Sequence, residues 1–117
     1  MNFKKLIKSF SFAFKGLISL LKSENNFQFH FATMILVIAC GFVFKITQTD
    51  WYIILILFAL VFSAEAFNTG LEKLCDFVHP EHHQKIGIIK DIAAAGVLIV
   101  ATVAAIIGLL IFYPKVF

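Results

Sequence analysis

The sequence predicts an all-α membrane protein, with one amphipathic helix on the membrane surface and three helices that cross the bilayer. The first observation is composition: 61% of the 117 residues are hydrophobic, 15% are charged, and the mean hydropathy is +0.94. Soluble domains are about 45–50% apolar, and a fold this small buries only part of its surface. The other two observations are long apolar stretches and lysines clustered near their ends. The length predicts a single membrane domain over 1–117.

The first element is an amphipathic helix, predicted over residues 3–22. Lysines and serines occupy most of one side, and apolar side chains recur at helical spacing on the other. This pattern predicts a helix that lies in the membrane interface. A packed soluble helix is the alternative, which the apolar chain that follows disfavours. The apolar face consists of Phe3, Leu6, Ile7, Phe10, Phe14, Leu17, Ile18 and Leu21.

Three helices that contain membrane spans are predicted over 27–46, 51–78 and 85–113. Each has enough apolar residues to cross a bilayer, which takes about 20. Polar turns separate the three segments. Pro80 ends the second helix and Pro114 closes the third, because proline has no N–H with which to continue a helix.

The positive charges predict the orientation and exclude one class of partner. All ten basic residues are lysines, and the absence of arginine argues against nucleic-acid binding, where guanidinium contacts dominate base readout. Five lysines lie in the N-terminal segment and three in 72–91, whereas the opposite side carries only Lys45 and Lys115. The positive-inside rule therefore places the N-terminus and the 72–91 segment in the cytoplasm and the C-terminus outside.

Small residues along the third helix predict an oligomer. Ala101 and Ala105 are four residues apart, as are Ala104 and Gly108, a spacing that lets helix backbones approach closely. Three helices alone cannot enclose a polar site and shield it from lipid. The sequence therefore predicts a homo-oligomer with its sites between subunits.

The second spanning helix carries a polar stripe of Glu65, Asn68 and Glu72. Their spacing of i, i+3 and i+7 puts them on one face over about two turns. Ionisable side chains near a membrane span are costly and mark functional sites. Two carboxylates and an amide on one stripe predict a cation site or an acid–base site. A polar seam that holds subunits together is the alternative.

Two charged groups from other helices are predicted at the same membrane depth. Glu24 begins the first span, and since the second span runs the opposite way, Glu24 and Glu72 suit a hard cation such as Mg²⁺. A solvated charge at a helix start is the alternative for Glu24. Lys90 and Asp91 open the third span on that side. Lys90 holds phosphate as a point charge or only extends to the interface.

The histidines and glycines give weaker signals. His30, early in the first span, lines the polar seam or hydrogen-bonds a helix neighbour. The group of Cys75, His79, His82 and His83 lacks a recognised zinc spacing. No glycine-rich phosphate loop, dinucleotide fingerprint or protein-kinase signature is present. Any nucleotide must therefore be bound by another arrangement.

Several short motifs follow one another along the chain in a specific order. They are Phe14-Lys15-Gly16-Leu17, Glu24-Asn-Asn-Phe27, Glu65-Ala-Phe-Asn68-Thr-Gly-Leu-Glu72, Asp76, Pro80-Glu-His-His and Lys90-Asp91-Ile-Ala-Ala. Over nearly the whole chain, this series resembles the prokaryotic diacylglycerol kinase family. The resemblance implies a homotrimer of three-span chains in the bacterial inner membrane, with a surface helix at the N-terminus and active sites between subunits.

The resemblance also implies a reaction, the transfer of the γ-phosphate of ATP to a lipid alcohol with the help of Mg²⁺. Glu65 would be the general base that takes the proton of the lipid hydroxyl. Asn68 would position the substrate or the γ-phosphate, and His30 would lie with them at the lipid. Glu24 and Glu72 would hold the Mg²⁺ that bridges the ATP phosphates.

Lysines would complete the nucleotide site. The resemblance implies that Lys90 contacts the phosphates with Asp91 beside it, and that Lys8 and Lys15 on the surface helix flank the nucleotide. This division of roles agrees with the chemistry, because phosphoryl transfer depends on positioning and charge neutralisation more than on covalent catalysis.

Two positions bear on which lipid alcohol accepts the phosphate. The diacylglycerol branch of the family carries an acidic residue shortly after Glu24 and a serine after Lys-Asp, whereas this chain has His30 and Ala94. Both differences resemble the undecaprenol branch, so undecaprenol and diacylglycerol are both predicted acceptors, with a lean toward undecaprenol.

Two other classes of function are open at this point. One is a non-enzymatic membrane subunit in which the polar stripe holds copies together. The other is a small cation pathway that uses Glu65 and Glu72. A pathway needs polar residues across the whole bilayer, whereas 51–62 and 97–113 are almost wholly apolar, which favours the enzyme.

Overall fold

The computed structural model describes residues 1–117, which form four α-helices and no strand. Helix α1 spans Phe3–Ser23, α2 Asn25–Phe44, α3 Gln48–Val78 and α4 Gln84–Val116. The last three are long and apolar enough to cross a membrane. The predicted all-helical fold with three candidate spans is therefore confirmed.

A sharp corner joins α1 to α2. Glu24, the single residue between them, has an extended backbone with φ −106° and ψ 112°. Its side chain makes no capping hydrogen bond and is therefore free to contact another helix. Across the corner, the Gln28 Nε2 donates to the backbone carbonyl of Leu21 at 2.8 Å, which satisfies one of the carbonyls left unpaired at a helix end.

The turn between α2 and α3 is set by local hydrogen bonds. Lys45 has a positive φ of 51° and ends α2 in the left-handed conformation. Thr47 and Asp50 then form a capping box, each side chain bonding the backbone N–H of the other. This box starts α3 at Gln48, ahead of the predicted residue 51.

The loop between α3 and α4 contains Pro80 and turns the chain back along α3. His83 caps α4, because its Nδ1 accepts from the N–H of Lys85 at 3.0 Å. Helix α4 runs through Pro114 to Val116 rather than closing at the proline. So close to a helix end, the missing proline N–H removes only one hydrogen bond. The loop and the α1–α2 corner lie at one end of the bundle, hereafter the corner end.

The interior of the chain is small and contains several polar groups. Nine of the 117 residues are buried, and none of them belongs to α4. Phe27 of α2 packs on Phe62 of α3 with ring centroids 5.0 Å apart. Glu65, Asn68 and Thr69 follow on α3 and are buried too. Large apolar side chains are exposed along all four helices, which is stable only where lipid or another copy covers them.

Candidate active site

The centre of the site is a carboxylate–imidazole pair. Glu65 is only 2% exposed, and its Oε1 lies 3.2 Å from the Nε2 of His30 on α2. A buried carboxylate is stable only when a partner compensates for its lost hydration. The pair therefore joins α2 to α3 and holds a proton-accepting group inside the bundle.

Asn68 lies one turn further along α3, between two carboxylates. Its Nδ2 donates to the Oε1 of Glu72 at 3.3 Å. Its Oδ1 is buried and has no hydrogen-bond partner. Buried acceptors nearly always have a donor, so this oxygen is available to a ligand. The predicted stripe of Glu65, Asn68 and Glu72 occupies a single helix face.

Glu24 contacts α3 at the corner end. Its Oε1 lies 3.5 Å from the Nζ of Lys73, the residue that follows Glu72. The structure therefore brings Glu24 and Glu72 to the same end of the α2–α3 seam, without a direct contact between their carboxylates. His30 is six residues beyond Glu24 on α2, an axial distance of about 9 Å. The His30–Glu65 pair thus lies deeper in the bundle than the Glu24–Lys73 pair.

Lys90 lines a polar cleft of about 260 Å³ where α3 turns into α4. Its Nζ forms an ion pair with Asp76 of α3, a contact that the sequence analysis missed. The signal for this pair was present, because the return of the chain at Pro80 places these two residues opposite each other on antiparallel helices. Asp91 is exposed and joins neither the pair nor the cleft. The cleft is also lined by His79, Pro80, Glu81, His82, His83, Ile86 and Gly87.

The two lysines predicted on α1 are not brought to the carboxylates within one chain. Lys8 and Lys15 are exposed, and Lys15 lies over the ring of Phe12 with its Nζ 5.5 Å from the centroid. An open groove of about 560 Å³ separates α1 from α3, and small residues such as Gly16 and Gly70 line it. On α3 the groove is lined by Ala66, Thr69, Gly70 and Lys73, and not by the polar stripe.

The side chains available as metal ligands fit Mg²⁺ better than zinc. No three His, Cys, Asp or Glu side chains come together as a metal-binding group. Structural zinc needs four such ligands, whereas Mg²⁺ is usually held by one or two carboxylates together with substrate phosphates and water. Glu24 and Glu72 match the second pattern.

The arrangement separates two kinds of chemistry along the bundle. The buried Glu65 can accept a proton from a hydroxyl within the membrane, whereas the carboxylates and lysines of the corner end can neutralise phosphate charge nearer to water. Fold and site together define a small integral-membrane enzyme. The family described as prokaryotic diacylglycerol kinase matches residues 11–112, and the chain belongs to that family.

Individual relatives agree with the family. The chain is 40% identical to the undecaprenol kinase of Bacillus subtilis (strain 168) over 95% of its own length and 90% of that protein. It is 31% identical to the diacylglycerol kinase of Synechocystis sp., covering 88% of this chain and 59% of that protein. Identity to the diacylglycerol kinase of Escherichia coli (strain K12) is 26%, over 90% and 86% of the two chains. The predicted family is confirmed, and with it the prediction of a lipid kinase.

Proposed function

We propose that this protein transfers the γ-phosphate of ATP to a membrane lipid alcohol, with undecaprenol preferred over diacylglycerol. The observation that carries the proposal is the burial of Glu65 beside His30, on the same helix face as Asn68 and Glu72. A carboxylate at this depth can meet an alcohol held in the bilayer. The charged groups of the corner end can meet a nucleotide that arrives from water.

Three residues form the lipid site in this proposal. Glu65 takes the proton of the lipid hydroxyl while the hydroxyl oxygen attacks the γ-phosphorus. ADP leaves with the electron pair of the broken P–O bond. The unpaired Oδ1 of Asn68 accepts a hydrogen bond from the substrate and so positions it. His30 belongs to the same lipid site through its contact with Glu65.

The nucleotide occupies the corner end. Glu24 and Glu72 would hold Mg²⁺, and the metal ion would supply neutralisation of phosphate charge. Lys90 moves its ammonium group from Asp76 to the phosphates, supported by Asp91 beside it in the sequence. Lys8 and Lys15 flank the nucleotide from the surface helix.

The preference for undecaprenol rests on two observations. The relative named undecaprenol kinase is 40% identical to this chain, compared with 31% and 26% for the two diacylglycerol kinases. In addition, His30 and Ala94 stand where the resemblance to the diacylglycerol branch implies an acidic residue and a serine. Both lipids therefore belong in the assay.

The working form in this proposal is a homotrimer in the bacterial inner membrane. Support comes from α4, which buries no residue within one chain although it is 33 residues long. The lysine distribution supports an orientation with the N-terminus and the corner end on the cytoplasmic side, where ATP is found, and the C-terminus outside.

The test is a transfer assay with radiolabelled ATP on the protein reconstituted in lipid, offered undecaprenol and diacylglycerol in parallel. We expect labelled undecaprenyl phosphate as the main product. Glu65→Gln removes the proton acceptor at constant size, and we expect it to lower the rate at least about 10²-fold. The elution volume of the variant in detergent checks that its assembly is unchanged.

Lys45→Gln, at the opposite end of the bundle, is the matched control and should keep the wild-type rate. Wild-type transfer by Glu65→Gln would remove Glu65 from the mechanism. Absence of labelled product with every alcohol would leave a non-catalytic membrane subunit as the better account.

A further inference from the structure

Glu65 has a single polar contact from another helix, the imidazole of His30. The His30 Nε2 lies 3.2 Å from the Glu65 Oε1, the separation of a close ion pair. No side chain or backbone group of the chain hydrogen-bonds the carboxylate, and His30 is its one ion-pair partner.

We propose that His30 is a positioning residue that acts on the reaction through Glu65 rather than by contacting the lipid. In the reacting complex the Nε2–H turns to donate to Oε1, which leaves the second carboxylate oxygen, Oε2, directed toward the lipid hydroxyl. This inference rests on the proposed kinase activity and adds to it the group that orients the base.

The surroundings of the pair favour this role. The His30 side chain is 18% exposed and that of Glu65 is 3% exposed, so the imidazole is the more accessible member of the pair. The Phe27–Phe62 contact lies within a turn of both residues and limits how α2 can rotate against α3. The rings of Phe29 and His30 form a T-shaped contact with their centroids 5.7 Å apart. A donor fixed on a rigid helix loses little free energy to reorganisation during reaction.

The geometry predicts which kinetic constant depends on the imidazole. A group that orients the base acts at the chemical step, so its loss lowers kcat and leaves the KM for lipid near the wild-type value. A group that binds the lipid would instead raise that KM. When a group that orients a functional side chain without contacting the substrate is removed, activity typically falls about 10–100-fold.

The experiment compares His30→Leu with His30→Gln in the reconstituted enzyme. Leucine fills the space but cannot donate, whereas the glutamine amide places an N–H near the position of Nε2. We expect His30→Leu to lower kcat about 10–100-fold and His30→Gln to recover most of it, with both lipid KM values close to wild type. Thr33→Val is the matched control on α2, since the Thr33 hydroxyl bonds only the carbonyl of Phe29 in its own helix.

A second readout does not require turnover. The infrared carboxylate band of Glu65, assigned by its loss in Glu65→Gln, should shift in His30→Leu and stay in place in Thr33→Val. The inference is overturned by a wild-type kcat in His30→Leu, by an increase confined to the lipid KM, by an unshifted band, or by a His30→Gln variant as slow as His30→Leu. If the wild type phosphorylates no lipid, the proposed function fails and the positioning role falls with it, even where the band shift demonstrates the contact.

Discussion

At the scale of single residues, the site combines one buried polar side chain that has a partner with another whose oxygen has none. Glu65 has His30 as its partner, but the Oδ1 of Asn68 has none. An unpaired buried acceptor costs stability and is kept where function needs it. We therefore expect Asn68 to be a residue at which stability is given up for activity.

Asn68→Leu should separate these two effects. The substitution keeps the size and removes both the unpaired oxygen and the amide that donates to Glu72. The two changes offset each other, so we expect the free energy of unfolding to stay within about 1 kcal/mol of wild type. Transfer should fall about 10²-fold because the substrate loses a positioning contact. Denaturant unfolding in detergent and the transfer assay measure the two quantities on the same sample.

Thr69→Val is the control for this prediction, since Thr69 is a buried neighbour on α3 that makes no side-chain hydrogen bond. It should keep the wild-type rate. An Asn68→Leu variant with normal transfer would make the amide a structural residue only.

The residue scale also separates what spacing can predict from what it cannot. Glu65, Asn68 and Glu72 share a face because they are on one helix with known geometry. Their partner His30 is on α2, whose apolar residues surround the helix, so the sequence does not define which side faces α3. Only packing fixes that rotation, and the sequence therefore left two roles open for His30.

At the scale of elements, one tight contact controls the turn between α2 and α3. The indole of Trp51 covers Gly41, and a Cβ at that glycine would lie 2.5 Å from a carbon of the ring. The ring also packs on Phe42, with centroids 5.0 Å apart. Glycine is therefore required here by the close approach of a side chain.

Gly41→Ala should lower the free energy of unfolding by about 1–3 kcal/mol, the usual cost of overpacking. The closest atoms belong to the outer ring of the indole, so Trp51→Phe removes them. In a double-mutant cycle measured by thermal unfolding, Gly41→Ala should cost less in the Trp51→Phe background. Equal costs in both backgrounds would mean that the indole does not restrict this site.

Helix ends and cross-helix ion pairs differ in how far the sequence predicts them. Apolar length and the proline at residue 80 predicted three spanning helices, and the observed elements agree in kind. The start of α3 was placed too late because the apolar pattern begins after the capping box of Thr47 and Asp50. The pairs Glu24–Lys73 and Lys90–Asp76 depend on the axial register between helices, which hydrophobic periodicity does not encode.

At the scale of the whole molecule, the single chain leaves α4 without a buried residue. Gly108 has open space around it within the chain, so a larger side chain there would not disturb the monomer. It would block a close approach by a second copy at the predicted Ala104–Gly108 pair.

Native mass spectrometry from detergent should therefore give three times the chain mass of 13.1 kDa for the wild type. Gly108→Leu should shift the protein to smaller species with unchanged helical content by circular dichroism. A wild-type protein that is monomeric at every concentration, or a trimeric Gly108→Leu, would contradict this packing.

The central claim is that carboxylates from two helices gather at one membrane face and hold a metal-bound nucleotide. Its most direct test replaces Mg²⁺ with Mn²⁺ and follows binding of Mn²⁺ with a non-hydrolysable ATP analogue by electron paramagnetic resonance. The account predicts that Glu24→Gln and Glu72→Gln each weaken binding at least about 10-fold, whereas Glu65→Gln, deeper in the bundle, binds like wild type. Unchanged Mn²⁺–nucleotide binding in both Glu24→Gln and Glu72→Gln would contradict it.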